Sequence, residues 1–259
     1  MASIFLDIDG TLVGENGYFP PSAHKALQAA KANGHKIYLN TGRTSMNVDA
    51  YIRALGFDGF IYGCGTEVEL DGETLYHLSQ TPECSAAIAE LVVRTGVTPL
   101  YEGADTVYYD RRARQDPNLD AMLSLYQNKR AALCPVPVNE PWSMDKFVVW
   151  YDEESKLSQF RRGIAGQFQW IDRGDGFAEL VPEGCSKGTG MQILLQNAPV
   201  PKEEIYAFGD SLNDLPMLQM AGTGVAMGDP SLLQPYADYV TDPLRSDGLA
   251  HAFQHFHLI

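Results

Sequence analysis

The first 62 residues alternate between short apolar runs and helix-patterned segments, and after about 120 residues of different rhythm that alternation returns. Residues 4–6 read as a strand. Residues 22–32 read as a helix with Ser22 as N-cap and Ala26, Leu27 and Ala30 on its apolar side. A second strand (35–40), a second helix (45–55, ending at Gly56) and a third strand (59–62) follow. Strand-helix-strand order of this kind implies a parallel sheet with right-handed crossovers. Asp71-Gly72 then sits between Val68, Leu70 and Leu75, Tyr76, a strong hairpin signal.

From 81 to 183 the pattern is mixed. Helices are expected near 85–95, 118–128 and 155–165, and strands at 106–110, 146–151, 169–171 and 178–181, with a proline-rich connector at Pro135, Pro137 and Pro141. The alternation then resumes, with helices at 187–196, 213–221 and 231–236, strands at 205–208, 224–227 and 239–240, and a last helix after Asp247-Gly248. The fold class is therefore α/β, with a core built from both ends of the chain (1–80 plus 184–259) and an α+β unit (81–183) inserted between them.

The first strand stops on Asp7-Ile8-Asp9-Gly10-Thr11. Carboxylates at i and i+2 of an extended segment project to the same side, and such like charges call for a cation, a shared proton or both. In open parallel sheets ligands sit beyond the carboxyl ends of the strands. There, one aspartate can act as nucleophile and the other as general acid and base. Gly10 permits a sharp turn, and an ordinary Asp-Gly turn is the alternative reading.

Three other stations share this character. Thr41-Gly42-Arg43 ends the second strand, offering a hydroxyl and an unobstructed backbone N–H where a helix is expected to begin; a solvent-facing Arg43 is the alternative. Lys187 opens a helix, where the dipole disfavours a cation unless it neutralises a phosphoryl oxygen or the Asp7/Asp9 pair. Asp210, Asn213 and Asp214 follow the strand at 205–208, and hard oxygen donors from two strand ends suit Mg²⁺. Asp214 could equally cap the next helix.

These four stations, Asp7-Ile8-Asp9-Gly10-Thr11, Thr41-Gly42-Arg43, Lys187 and Gly209-Asp210-Ser211-Leu212-Asn213-Asp214, resemble the ordered motifs of the haloacid dehalogenase-like hydrolases. The long insert resembles the cap of their Cof-type (class IIB) sugar-phosphatase branch. The resemblance implies a Rossmann-like core, a C2-type α+β cap and Mg²⁺-dependent hydrolysis of phosphomonoesters. Asp7 would be the nucleophile and Asp9 the general acid/base. Mg²⁺ would meet the Asp7 carboxylate, the Asp9 carbonyl and Asp210, with Asp214 in support. Ile8 (through its N–H), Thr41, Gly42, Lys187 and Asn213 would meet the phosphoryl oxygens. The sequence departs from the family at Gly63-Cys64-Gly65-Thr66, where Asn-Gly-Ala is frequent, and at Asp229-Pro230, where Asn-Ala is frequent.

The inserted unit is expected to supply selectivity and exclude water. Tyr108, Arg111, Arg112 and Arg114, with Arg43, are its candidate substrate contacts, against packing and solvated-face alternatives. His251 and His255, four apart on the last helix, read as surface residues rather than a metal pair.

A net charge of −14 argues against nucleic acid and anionic membrane as partners, and requires any phosphate site to carry its own local cations. Cys64, Cys84, Cys134 and Cys185 are scattered without metal or disulfide spacing, which fits reduced thiols in a cytoplasmic protein. Neither a signal peptide nor a spanning segment is expected. The leading expectation is a phosphatase for small phosphorylated metabolites, sugar phosphates first and flavin or pyridoxal phosphates next, acting as a monomer or homodimer. The alternatives are a phosphomutase passing on the same phosphoryl group and a non-catalytic phosphoryl-binding regulator.

Overall fold

The structure is a computed structural model that describes residues 1–14, 17–114, 116–126, 132–228 and 233–259. The chain packs as two compact units, Met1–Gly42 with Arg53–Tyr76 and Cys185–Ile259, and Arg43–Ile52 with His77–Gly184. Residues 43–52 thus group with the second unit, although the sequence reading kept all of 1–80 together. Asn47 accounts for this, because its amide bonds Glu102 and Tyr126 of the second unit.

The strands of the first unit are β1 (Ser3–Leu6), β2 (Lys36–Asn40), β3 (Gly59–Tyr62), β4 (Glu67–Leu70) and β5 (Glu73–His77). Its helix among them is α1 (Pro21–Ala32). The short helix α2 (Ala50–Arg53) straddles the division between the units. In the second unit lie α3 (Pro82–Thr95), β6 (Thr98–Glu102), β7 (Thr106–Tyr109), α4 (Pro117–Tyr126), β8 (Ala132–Pro135), β9 (Lys146–Trp150), α5 (Leu157–Ile164), β10 (Phe168–Gly174) and β11 (Phe177–Pro182). The chain then returns to the first unit with α6 (Lys187–Asn197), β12 (Ile205–Gly209), α7 (Leu215–Met220), β13 (Thr223–Met227), β14 (Tyr239–Thr241) and α8 (Gly248–His255).

The first unit's sheet runs β14-β13-β12-β1-β2-β3-β4-β5. It is parallel from β14 through β3, then antiparallel at β3–β4. All of β1 is buried, as a strand covered on both faces must be. Phe5, Tyr38, Ile61 and Ala207 pack with Met191 and Leu194 of α6 and Met217 and Leu218 of α7. Phe208 packs at a tilt against Phe253 of α8, and α8 packs on α1. The β4–β5 turn uses Asp71 and Gly72, both at positive φ, as a two-residue hairpin requires.

The second unit has a six-stranded sheet, β10-β11-β9-β6-β7-β8, antiparallel except at β7–β8. One face carries Tyr101, Phe147, Val149 and Leu180 against α3 and α5. The other carries Leu100, Val148 and Trp150 with Leu119 and Tyr126 of α4.

Several expectations are corrected. Helix α1 begins at Pro21, with Pro20 at the N-cap and no side-chain cap. Proline fits the first helical turn because its missing N–H would have had no partner there. Ser22 instead bonds Asp247. The helix expected over 45–55 is a 3₁₀ turn (Ser45–Asn47) and the single turn of α2, separated where Val48 is extended. Strand β6 was hidden by Pro99, which sits where β9 alone flanks the strand, since β7 pairs only from Leu100 onward. Strand β8 was hidden in the proline-rich connector. The helix expected over 231–236 is a 3₁₀ turn at Gln234–Tyr236. The first two residues of that expected helix, Ser231 and Leu232, lie outside the described residues, as do Asp229-Pro230 and the end of the expected 118–128 helix. None of the four cysteines forms a disulfide. Among the described residues no helix is long and apolar enough to cross a membrane.

Candidate active site

Strand register assembles the site. Leu6 of β1 pairs with Leu39 of β2 on one side and Phe208 of β12 on the other. Asp7, Asn40 and Gly209 therefore leave the sheet at the same end. The Asp7 N–H continues the ladder to the Phe208 carbonyl at 3.1 Å. Beyond it the chain folds tightly: the Ile8 carbonyl accepts from the N–H groups of Thr11, Leu12 and Val13. Gly10 lies at φ +82°, and a Cβ there would fall 2.0 Å from an Asp210 carboxylate oxygen. Only glycine lets the two acid-bearing loops approach this closely.

Lys187 is the centre of the cluster. Its ammonium is fully buried and donates to Asp7 Oδ1 at 2.5 Å and to Asp214 Oδ1. The α6 N-terminus that carries it is set by a reciprocal Ser186–Thr189 capping box. Asn40 Nδ2 also donates to the Lys187 carbonyl at 3.0 Å. The second oxygen of Asp214 accepts from the N–H groups of Asp210 and Ser211, both at 2.9 Å. Asp214 thus caps its own loop while pairing Lys187. The cap has a sequence signature, because Ser211 and Asp214 are spaced as a capping box.

Charge is out of balance here. Burial pushes the Asp7 carboxyl well above the usual aspartate range. Lys187 opposes this rise, and the Asp214, Asp210 and Asp9 carboxylates add to it. Burial disfavours the Lys187 ammonium, yet Asp214 and Asp7 outweigh burial and keep it charged. Lys187 answers both Asp7 and Asp214 while Asp210 stands close by, so the cation is held firmly and the surplus negative charge falls on Asp7. One oxygen from each of Asp7, Asp210 and Asp214 lies within 4.8 Å of the others. Octahedral Mg²⁺ spaces its ligand oxygens by about 3–4 Å. A hard divalent ion therefore fits this donor set in chemistry, in spacing and in the charge it would neutralise.

The remaining expected residues divide. Thr41 is buried, its N–H on the Ile61 carbonyl and its own carbonyl accepting from Cys64 N–H at 3.0 Å. Gly42 follows it directly, but no full helix follows Gly42, so the expected helix N-terminus is replaced by loop. Asn213 is buried, its Oδ1 taking the Ser211 hydroxyl at 2.7 Å. Asp9 is exposed and stands outside the buried Lys187 cluster. Arg43 pairs with Asp49 at 2.8 Å.

In the second unit, Arg112 is bound by Asp110 and Glu90, and Arg114 by Asp152 and Glu154. Arg111 leans on the Tyr109 ring, and Tyr108 packs against Trp142. Partners within their own unit account for these side chains without a ligand. Arg111 and Arg112 do line a cavity of about 590 Å³ inside that unit. Asn40, Cys64 and Ser211 join the site without having been singled out as site residues from the sequence.

A parallel sheet whose central strand runs into an aspartate paired with a buried lysine, beside two further carboxylates, defines an enzyme core of the phosphoryl-transfer kind. The chain belongs to the haloacid dehalogenase-like hydrolases, whose family profile matches residues 4–253. It is 26% identical to the pyridoxal phosphate phosphatase YbhA of Escherichia coli, over 99% of this chain and 98% of that protein. It is 28% identical to the HMP-PP phosphatase of Yersinia enterocolitica, over 96% and 93% of the two chains. Among solved structures, the HAD subclass IIB sugar phosphatase BT4131 matches with a TM-score of 0.84 and 26% identity, over 100% of both chains.

Proposed function

We propose that this protein is a Mg²⁺-dependent phosphatase that hydrolyses small phosphorylated metabolites, sugar phosphates foremost, through an aspartyl-phosphate on Asp7. The observation that carries this reading is the convergence of Asp7, Asp210 and Asp214 at the carboxyl end of the sheet, with Lys187 paired to Asp7 and Asp214. The Asp7 carboxylate attacks phosphorus, and the bond from phosphorus to the ester oxygen breaks as Asp9 donates a proton to that oxygen. Water then attacks phosphorus, Asp9 accepts its proton, and the bond to Asp7 breaks to release inorganic phosphate. Exposure of Asp9 suits a residue that exchanges protons with water.

Lys187 fixes the nucleophile. The Ile8 N–H, Thr41, Gly42, Lys187 and Asn213 are the assigned contacts of the phosphoryl oxygens. Asp7, Asp210 and the Asp9 carbonyl would hold Mg²⁺, supported by Asp214, and the ion would supply charge neutralisation at the phosphoryl group. The inserted unit is assigned to substrate selection. The names of the relatives support phosphorylated metabolites as the substrate class. With a net charge of −14, the protein is read as a cytoplasmic monomer or homodimer without nucleic-acid or membrane partners.

Phosphate release from a panel of sugar phosphates, pyridoxal phosphate and flavin mononucleotide, with and without Mg²⁺, tests the reading. Wild type should release phosphate only with the metal, and Asp7→Asn should lose roughly 10³-fold or more while keeping its circular dichroism spectrum. Appreciable turnover by Asp7→Asn would remove Asp7 from its role. Transfer to a sugar acceptor without net release would replace the phosphatase by a mutase.

A further inference from the structure

Cys64 stands in the left-handed region, at φ +55°, between Gly63 at +57° and Gly65 at +88°. Cysteine has no preference for that conformation, unlike glycine or asparagine. The loop is pressed into place, since a Cβ on Gly65 would fall 2.3 Å from the Ser186 carbonyl oxygen at the start of α6. The buried Cys64 therefore reaches the elements that carry Lys187 and Asn213. Its N–H bonds the Thr41 carbonyl, and its Sγ accepts from Asn213 Nδ2 at 3.9 Å.

Asn213 is thereby fixed at both ends of its carboxamide. Ser211 donates to Oδ1, and one amide hydrogen lies on the Cys64 sulfur. A carboxamide nitrogen carries two hydrogens. With its plane set by these two partners, the direction of the second is set as well.

We propose that Cys64 is a positioning residue for phosphoryl recognition, its thiol orienting the Asn213 carboxamide so that the second amide N–H is delivered to a phosphoryl oxygen. This rests on the phosphatase reading above, in which Asn213 meets the phosphoryl group. The thiol is a weak, long-reach acceptor that holds the amide without competing strongly for it. The conformation at residue 64 costs the fold something, and the return is an Asn213 that does not rotate away.

Glycine is the discriminating substitution. Cys64→Gly suits the left-handed backbone, so a merely structural role predicts unchanged kinetics and an unchanged or higher melting temperature. The positioning role predicts that KM for p-nitrophenyl phosphate with Mg²⁺ rises roughly fivefold, the order of one weak hydrogen bond, with kcat within about twofold. Cys64→Ser keeps an acceptor on the same Cβ but, with its shorter C–O bond, holds it farther from Asn213 Nδ2, so it should return KM only part of the way to wild type. KM unchanged in Cys64→Gly overturns the proposal. A rise that Cys64→Ser fails to reduce also overturns it, since loop flexibility would then be the cause. Absence of Mg²⁺-stimulated hydrolysis by wild type would instead remove the phosphatase reading, and this role with it.

Discussion

Each of the two units buries one lysine between two carboxylates, and they do so to different ends. In the first unit, Lys187 bridges Asp7 and Asp214. In the second, Lys146 on β9 bridges Glu102 on β6, at 3.2 Å, and Glu179 on β11. The second cluster is closed by donors: Tyr126 and Asn47 give hydrogen bonds of 2.5 Å and 2.7 Å to Glu102 Oε1. Burial and the Glu102 charge keep the Tyr126 hydroxyl protonated, so it remains a donor. The first cluster has a third carboxylate, Asp210, and its surplus charge appears as the raised Asp7 carboxyl. A buried lysine–carboxylate group is thus a structural tie when neutral donors meet the carboxylate that the lysine only half answers, as Tyr126 and Asn47 do at Glu102. It becomes a reactive site when one negative charge too many is left for a ligand to answer.

Removing each lysine probes that difference most strongly. Lys146→Met should cost about 3–5 kcal/mol in denaturant titrations, the usual penalty for stranding buried charge, with Mg²⁺ giving nothing back. Lys187→Met should also destabilise, but Mg²⁺ should recover part of its loss, and phosphate release should fall roughly 10²-fold or more. Equal responses of the two variants to Mg²⁺ would break the comparison.

A smaller effect lies in pH. In metal-free protein, folded Asp7 keeps its proton to higher pH than unfolded Asp7 does. Between the ordinary aspartate range and that raised value the native state binds more protons, so stability must fall as pH climbs through the window. Below the window both states are protonated and the penalty vanishes. Denaturant titrations across this range should show the slope in wild type and lose it in Asp7→Asn; a slope common to both would assign it to other groups.

The smallest effect belongs to the surface of the second unit. Arg114→Ala breaks exposed pairs with Asp152 and Glu154, whose partner Asp152 is held down to about 2, chiefly by its hydrogen bond from Arg114. Solvent screens such pairs, so the melting temperature should stay within about one degree of wild type and KM should not move. A KM shift would restore Arg114 as a substrate contact.

Periodicity exposed the split α/β core because buried parallel strands and amphipathic crossover helices write themselves as alternation. The acid stations were visible because their spacing made no sense as packing. Lys187 was recognised as misplaced against its helix dipole, although Asp214, its second partner, lies 27 residues on and could not be paired with it from order alone. What stayed hidden depended on tertiary context. Pro99 is tolerable in a strand because β7 ends beside Leu100 and does not reach the proline. The helix expected after Gly42 breaks at Val48, next to an Asn47 whose amide is committed to Glu102 and Tyr126. Arg112 and Arg114 read as candidate substrate contacts or a solvated face because their carboxylate partners are distant in sequence or across a turn.

The placement of β1 has a consequence for biosynthesis. Its neighbour on one side is β2, complete by residue 40, but its neighbour on the other is β12, which ends at Gly209. A chain emerging from the ribosome amino end first must therefore carry the strand that leads into Asp7 half-paired until residue 209 has been made. All six strands of the inserted sheet have by then been translated. β1 thus waits for a neighbour that lies beyond the whole inserted unit in chain order.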